Sequence, residues 1–316
     1  MKTHHICILG GTGFVGHVLT AQLLAAGHKL TVLTRHRSRH RDMLLFPRLT
    51  LKEVDLFDHR AFVGALQDCA MVINLIGILN EYQHDGSGFQ KTHVELADRL
   101  IVAMKDSNIY RLLHLSALNA DQNASSHYLR TKAEAEKMLL DEPILQVSSF
   151  RPSVIFGQDD HFFNRFSQLL RWMPLGFPLA CAKSRFSPVY VNDVASALVN
   201  AIDDQSTFGK TFNLCGPSSY SLAELLQYTI DITSPGINLY PLSDRLSRWQ
   251  ANVLEYVPGK PFSKDNYRSL QHDSVCQNGT PAIPCKTNIE SVVPTYLANA
   301  NERGSFFRHR QSVNRD

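Results

Sequence analysis

Two hydrophobic periods alternate along the first half of the chain. "HICIL" (5–9) is a short apolar run, whereas "HVLTAQLLAAG" places apolar residues every three or four positions. The change of period predicts a strand, a tight turn through "GGTGFVG", and a helix closed at Gly27. Further apolar runs predict strands at "KLTVLT" (29–34), "LTLKEV" (49–54), "MVINLIG" (71–77), "RLLHLS" (111–116) and "QVSSF" (146–150). Helices are expected near 58–68, over 88–106 and around Tyr128. Strands alternating with helices predict an α/β fold, a doubly wound parallel sheet covered on both faces.

After Arg151–Pro152 the elements shorten, broken by prolines such as Pro174, Pro178 and Pro188. "PVYVNDVASALVNAI" (188–202) reads as a strand turning into a helix. "KTFNLCG" (210–216) reads as a strand, and "YSLAELLQYTI" (220–230) as a helix capped by Ser221. The expected division is a sheet domain over 1–150, a smaller C-terminal α/β lobe over 151–257, and a tail over 258–316, partly loop or disordered. Segments of the second lobe are allowed to return to the main sheet. Leu242, Leu246, Trp249, Val253 and Val257 recur at helical spacing, with Arg245 and Arg248 between them. This stripe is expected to pack on its own lobe. A membrane or partner surface is the alternative.

Composition narrows the class. The chain has 316 residues, 44% hydrophobic and 19% charged, with a net charge of +3. That suits a globular protein with a sizeable core and is too mild a charge to argue for nucleic acid. The six cysteines show no C-x-x-C pair, so reduced thiols in a cytosolic compartment are expected. The longest apolar run, "MVINLIGIL" (71–79), is too short to span a bilayer. No cleaved leader is expected ahead of the first strand.

The candidate chemistry begins in "GGTGFVG". Gly10, Gly13 and Gly16, with Thr12, Phe14 and Val15 between them, stand between a strand and a helix. Glycines there let the backbone approach a pyrophosphate at the helix N-terminus. Residues 1–150 are therefore read as a dinucleotide-binding Rossmann domain. After the second strand, where a ribose-binding acid is usual, the chain reads "LTRHRSRHR". Arg35 suits a 2′-phosphate, so NADP(H) is preferred and NAD(H) is the alternative. Arg37, Arg39 and Arg41 are each read as solvated. Asp55 and Leu56 end the third strand, and Asn74, Leu75 and Gly77 the fourth, where a dinucleotide crosses the sheet edge.

"HYLRTKAEAEK" (127–137) places Tyr128 and Lys132 on one helical face, so that the ammonium can lower the phenol pKa. Ser116 stands twelve residues before Tyr128. His4, His5, His36, His40, His84 and His93 lack metal-ligand spacing and are read as surface or hydrogen-bonded residues. "GQDDHF" (157–162) is read as a loop and helix cap. No metal is expected.

In order, "GGTGFVG", "VDL", "NLIG", Ser116, "YLRTK" and "RPSVIFG" resemble the extended and atypical short-chain dehydrogenases/reductases. "HLSALNA", "SSHYLRTKAEAEK", "PSVIFGQDDHFFNRF" and "CGPSSYSLAELL" look like one branch of them, the NAD(P)H-binding accessory subunit of respiratory complex I and its bacterial relatives. The likeness covers roughly residues 5–275. It implies a doubly wound sheet with a small C-terminal lobe and a tightly held NADPH. Pro152, in "RPSVIFG", would line the cofactor site. It also implies partners among respiratory-complex or quinone-biosynthesis proteins, and a cytoplasmic place, peripheral on the inner membrane. In active members a Ser–Tyr–Lys set like Ser116, Tyr128 and Lys132 polarises a carbonyl, transfers a proton and holds the nicotinamide ribose. "SALNAD" lacks the acidic pair of dehydratase members. A working NADPH-dependent reductase, dehydrogenase or epimerase is the competing expectation.

Overall fold

Strand β1 (His5–Leu9) buries every residue after its first. It is flanked in one sheet by β2 (Lys29–Thr34), β3 (Leu49–Glu53), β4 (Met71–Asn74), β5 (Arg111–Leu115), β6 (Gln146–Pro152), β7 (Lys210–Cys215) and β8 (Ala282–Pro284). The order is β8-β7-β6-β5-β4-β1-β2-β3. The pairs from β1 to β7 are parallel. Strand order reverses between β1 and β4, which opens a crevice at their carboxyl ends. This is the expected doubly wound sheet. The computed structural model describes residues 2–173, 175–276 and 282–298.

Four helices belong to the βα repeat: α1 (Phe14–Ala25), α2 (His59–Leu66), α3 (Leu96–Asp106) and α4 (His127–Asp141). The Asp58 side chain caps α2 by accepting from Ala61 N, and Ser126 caps α4 by accepting from Leu129 N. Phe62, Leu66, Leu100, Met104 and Leu139 from these helices meet Cys7, Leu9, Val72 and Leu112 of the strands in one core. Helix α1 packs instead on helix Val191–Asn200.

Contacts divide the chain into two interleaved units. The first comprises 1–152, 191–214 and 276–283; the second comprises 153–190, 215–275 and 284–316. The break after residue 150 is thus followed by a return to the sheet at 191–214. The second unit is built from short strand pairs, Ile155–Phe156 with Val189–Tyr190 and Phe177–Leu179 with Leu239–Pro241 among them. Helices Phe163–Arg171 and Leu222–Thr233 cover a core of Phe156, Phe163, Leu225 and Ile230. Ser221 caps the latter helix in a capping box with Glu224. In "GQDDHF", Asp160 accepts from the backbone N–H of Gly157, Phe162 and Asn164 and from the Tyr296 hydroxyl.

Two expectations, on the cysteines and on the 242–257 stripe, are corrected, and part of the tail is placed. Beyond residue 258, Ile289, Val293 and Leu297 are buried in the second unit's core, so the segment that carries them packs as part of that unit. The last part of the tail, 299–316, lies outside the described residues. Cys215 and Cys276 are disulfide-bonded, while Cys7, Cys69, Cys181 and Cys285 carry thiols. Spacing along the chain does not report the spatial approach that a disulfide needs. The 242–257 stripe is not packed inward. Helix Asp244–Leu254 buries Ser247 and Ala251 and leaves Leu246, Trp249 and Val253 exposed.

Candidate cofactor site

The turn after β1 is shaped by close approach. Gly10 holds φ +77°, a left-handed conformation that favours glycine. A Cβ at Gly16 would lie 2.4 Å from the Gly10 carbonyl oxygen and 2.5 Å from Gly11. Helix α1 therefore starts directly against the turn. Its cap, Gly13, offers no side-chain acceptor, and its first turn holds no acid. The leading N–H groups are left for an anion.

Above the turn lies a cleft of about 430 Å³ at the carboxyl ends of β1 to β4. Of the expected cofactor residues, Gly10, Thr12, Gly13, Arg35, Asp55, Leu56, Leu75 and Gly77 line it. Phe14, Val15, Gly16, Asn74 and Pro152 do not. Gly16 acts from behind, through the contact just given. Asn74 is a strut: its Oδ1 accepts from Ile76 N at 3.1 Å and its Nδ2 donates to His114 Nδ1 at 3.3 Å. Those bonds end β4 at Asn74, three residues before the expected end. Pro152 ends β6, where its carbonyl accepts from Leu118 N.

After β2 the wall is Arg35, His36, Arg39 and His40. Arg39 thus joins the site although it was expected to be solvated; Arg37 and Arg41 do not line it. The Arg37 backbone N–H donates to Glu53 at 2.7 Å. Leu33, Thr34, Val54, Phe57, Ile76, Ile78, Thr92 and Leu96 complete the wall; of these, only Val54 in "VDL" and Ile76 in "NLIG" fell within a sequence motif.

The expected catalytic trio stands beside the cleft rather than on its wall. Lys132, on α4, is buried, and its Nζ donates to Leu115 O at 2.9 Å and Ile76 O at 3.2 Å. A Cβ at Gly77 would lie 2.9 Å from that Nζ, so the lysine sits immediately behind a residue of the cleft wall. Burial lowers the Lys132 pKa to about 8, opposed by the charge of Glu136. Glu136 is itself buried and accepts from Ser149 and Arg151. Tyr128 is half-buried, its ring edge-on to Phe89 and His93 at centroid distances of 6.1 and 5.8 Å. Ser116 is buried with its hydroxyl unpartnered among the described residues.

Two histidines add what motif reading missed. His93 lies in a π-helical stretch, Gln90–Glu95, a feature frequent at functional sites. Its Nε2 accepts from Ile78 N at 3.3 Å, so Nδ1 carries the proton and donates to Thr131 Oγ1 at 2.8 Å. The Thr131 hydroxyl in turn donates to His127 O. Burial, then the Lys132 and His114 charges, push the His93 pKa down to about 2. Burial and Lys132 hold His114 well below its ordinary value too, and its Nε2 has no partner among the described residues. No metal-binding cluster occurs among the described residues.

These features fit a dinucleotide: a cradle that side chains would fill, an uncapped helix start, and an orphaned hydroxyl beside a buried lysine. A nicotinamide cofactor would supply hydride chemistry. The chain would supply phosphate contacts from the α1 N-terminus, ribose contacts from Lys132 and a proton at the Tyr128 oxygen.

Over most of its length the chain is similar to known proteins. The model of the NAD dependent epimerase/dehydratase family matches residues 6–215. The "NADH dehydrogenase [ubiquinone] 1 alpha subcomplex subunit 9, mitochondrial" of Mus musculus is 32% identical, over 87% of this chain and 74% of its own. Its Arabidopsis thaliana counterpart is 31% identical over 81% and 64%. Among solved structures, the UDP-N-acetylglucosamine 4-epimerase of Methanobrevibacter ruminantium M1 superposes with a TM-score of 0.64. It is 18% identical, covering 78% of this chain and 87% of its own. WbmH of Bordetella bronchiseptica, solved with NAD+, gives 0.64 at 19% identity, covering 76% and 86%. These two likenesses concern the fold. No described helix is long and apolar enough to cross a membrane. The chain belongs to the NAD dependent epimerase/dehydratase family and is homologous over most of its length to the alpha subcomplex subunit 9 proteins.

Proposed function

We propose that this protein keeps an NADPH in the cleft as a fixed structural group, and serves a respiratory NADH dehydrogenase as an accessory or assembly component. The observation that carries the reading is the state of the groups beside the cleft. His93 is held neutral and Lys132 has two of its three donors committed to backbone carbonyls. Such groups support holding a ligand more than cycling protons. Arg35, His36, Arg39 and His40 favour NADPH over NADH, because they bring cationic and imidazole donors to the wall after β2, where a 2′-phosphate would sit. Gly10, Thr12, Gly13, Asp55, Leu56, Leu75 and Gly77 line its path, with Lys132 at the nicotinamide ribose. The relatives' names support partners in the respiratory chain. The proposed place is the cytoplasmic face of an inner membrane, without a spanning helix among the described residues.

The second reading is an active NADPH-dependent reductase, dehydrogenase or epimerase. The unpartnered Ser116 hydroxyl favours it, since a substrate carbonyl would satisfy that group. In that case Ser116 polarises the carbonyl, the Tyr128 oxygen passes the proton and Lys132 lowers the tyrosine pKa.

The test is to purify the full chain, identify any retained nucleotide by mass, and follow NADPH absorbance with quinones, ketones and sugar nucleotides. The first reading expects retained NADPH and no turnover. NADPH oxidation that disappears in Tyr128→Phe would overturn it in favour of the second.

A further inference from the structure

The second unit carries an apolar face that its own core does not use. The chain has two tryptophans, and both are there: Trp172 is 85% exposed and Trp249 64%. Leu175 is 93% exposed, Tyr240 54%, Leu246 51% and Val253 45%. Neighbouring contacts bring together the segments that carry these side chains. Strand Phe177–Leu179 follows the turn that bears Trp172 and Leu175, and it pairs with Leu239–Pro241. A Cβ at Gly176 would lie 2.2 Å from the Tyr240 ring, so that ring lies over the turn. Helix Asp244–Leu254 is tied across the same strand. Gln250 donates to Pro178 O at 3.1 Å, and Ser247 Oγ accepts from Cys181 N at 3.2 Å. The helix thereby turns Leu246, Trp249 and Val253 outward. Arg245 and Arg248 form an adjoining exposed line on it; Arg248 lies 3.9 Å from Asp244 in an exposed pair.

We infer that this face is a docking surface for an anionic phospholipid bilayer. It rests on the peripheral location proposed above and names the surface responsible. Tryptophan and tyrosine concentrate at the lipid–water interface, and arginines beside an apolar stripe pair with anionic headgroups while their stems stay among apolar atoms. Charge complementarity is the argument for lipid: the cations flank the apolar side chains, and the one acid on that helix, Asp244, accepts from the Tyr267 hydroxyl and is partnered by Arg248. The turn points the same way. Two nearly bare apolar side chains on it can enter a fluid headgroup layer directly, whereas a protein partner would need a socket shaped to each.

The two tryptophans make the test direct, because intrinsic fluorescence then reports only on this face. The full chain is mixed with vesicles of phosphatidylcholine alone, and with vesicles containing phosphatidylglycerol. The expected result is flotation with the anionic vesicles, a blue-shifted emission, and binding weakened by added salt. Trp172→Phe and Trp249→Phe should each retain a blue shift from the remaining tryptophan. The triple variant Trp172→Ser, Leu246→Ser, Trp249→Ser should float at least roughly tenfold less while keeping nucleotide affinity, which controls for folding. Arg245→Glu with Arg248→Glu should lower binding to anionic vesicles by a similar factor. Vesicle binding undiminished in the triple variant would overturn this surface and leave a peripheral location standing. No vesicle binding by the wild type would overturn both. Emission already blue without vesicles, and red-shifted on deleting 299–316, would show the face covered by the chain's own end and overturn the inference.

Discussion

Beside the β2 end of the cleft, Arg35, His36 and Arg39 are exposed. Beside the β4 and β5 end, Lys132, His93, His114 and Ser116 are buried. Charge at the first end costs little, because water solvates it until an anion arrives. At the second end two imidazoles are kept neutral and a lysine is pulled down to about 8. One end is suited to recognise a charged group. The other is rigid and sparing of charge, and it takes its order from backbone carbonyls and paired side chains. The difference teaches why the family's residues alone do not decide between holding and turnover: the same serine, tyrosine and lysine can be embedded so that their protons have little freedom.

The sharpest break removes the cradle that both ends share. In Gly16→Ala the new methyl meets the Gly10 carbonyl and the Gly11 backbone, at 2.4 and 2.5 Å, which have no side-chain freedom to yield. Nucleotide affinity is expected to fall at least about a hundredfold, with about 3 kcal/mol lost in stability. Fluorescence titration with NADPH and urea unfolding check both. Unchanged affinity would mean that the turn does not hold the nucleotide.

The buried end is next tested by acid. His93 has an ordinary pKa of 6.5 and a folded one of about 2. The unfolded chain then binds more protons below 6.5, so stability is full above that pH and is lost as the pH falls toward 2. Between pH 6.5 and 4.5, His93 should account for about 2.5 kcal/mol of lost stability. Urea unfolding at the two pH values should show that much less loss in His93→Gln. An equal loss in both proteins would mean that His93 is not buried in its neutral form.

The exposed end should respond less. Arg35→Ala with Arg39→Ala is expected to weaken NADPH binding about tenfold to thirtyfold while leaving NADH within about threefold. Competition titration with both nucleotides decides it; equal losses would remove the proposed 2′-phosphate contact.

The two ends were not equally legible in the sequence. The sheet was, because strands buried on both faces read as apolar runs; β2 is found at 29–34 as expected. The glycine turn was legible because its spacing falls between a strand and a helix. His93, His114 and Glu136 were not, since burial of a polar residue depends on partners far along the chain. His114 is bonded by Asn74, forty positions away, and Glu136 by Arg151, fifteen away. The 242–257 stripe shows a further limit. Periodicity reveals that a helix has a face but not which face is covered. Here small residues, Ser247 and Ala251, allow close approach to the unit and are buried, while the large apolar ones point outward. In the tail, Ile289, Val293 and Leu297 repeat every four positions, a signal that the polar residues around them obscured.

The smallest effect sharpens the comparison most, because it isolates one proton. Lys132 has an ordinary pKa of 10.5 and a folded one of about 8. Between those values the unfolded chain binds more protons than the folded one, so this lysine makes stability rise with pH across that window. Below pH 8 both states are charged and the burial cost is constant. Lys132→Met removes the group and orphans the Ile76 and Leu115 carbonyls, a loss that does not titrate. The stability difference, wild type minus variant, should therefore grow by about 1 kcal/mol from pH 8 to pH 9. Urea unfolding of both proteins at the two pH values gives it, with other titrating groups cancelling in the difference. The same measurement with saturating NADPH should show a smaller rise, because a ribose hydroxyl on the remaining donor stabilises the charged lysine and moves its folded pKa back up. A difference that is flat with pH in the free protein would mean that Lys132 is as well solvated as Arg35, and the contrast between the two ends would be lost.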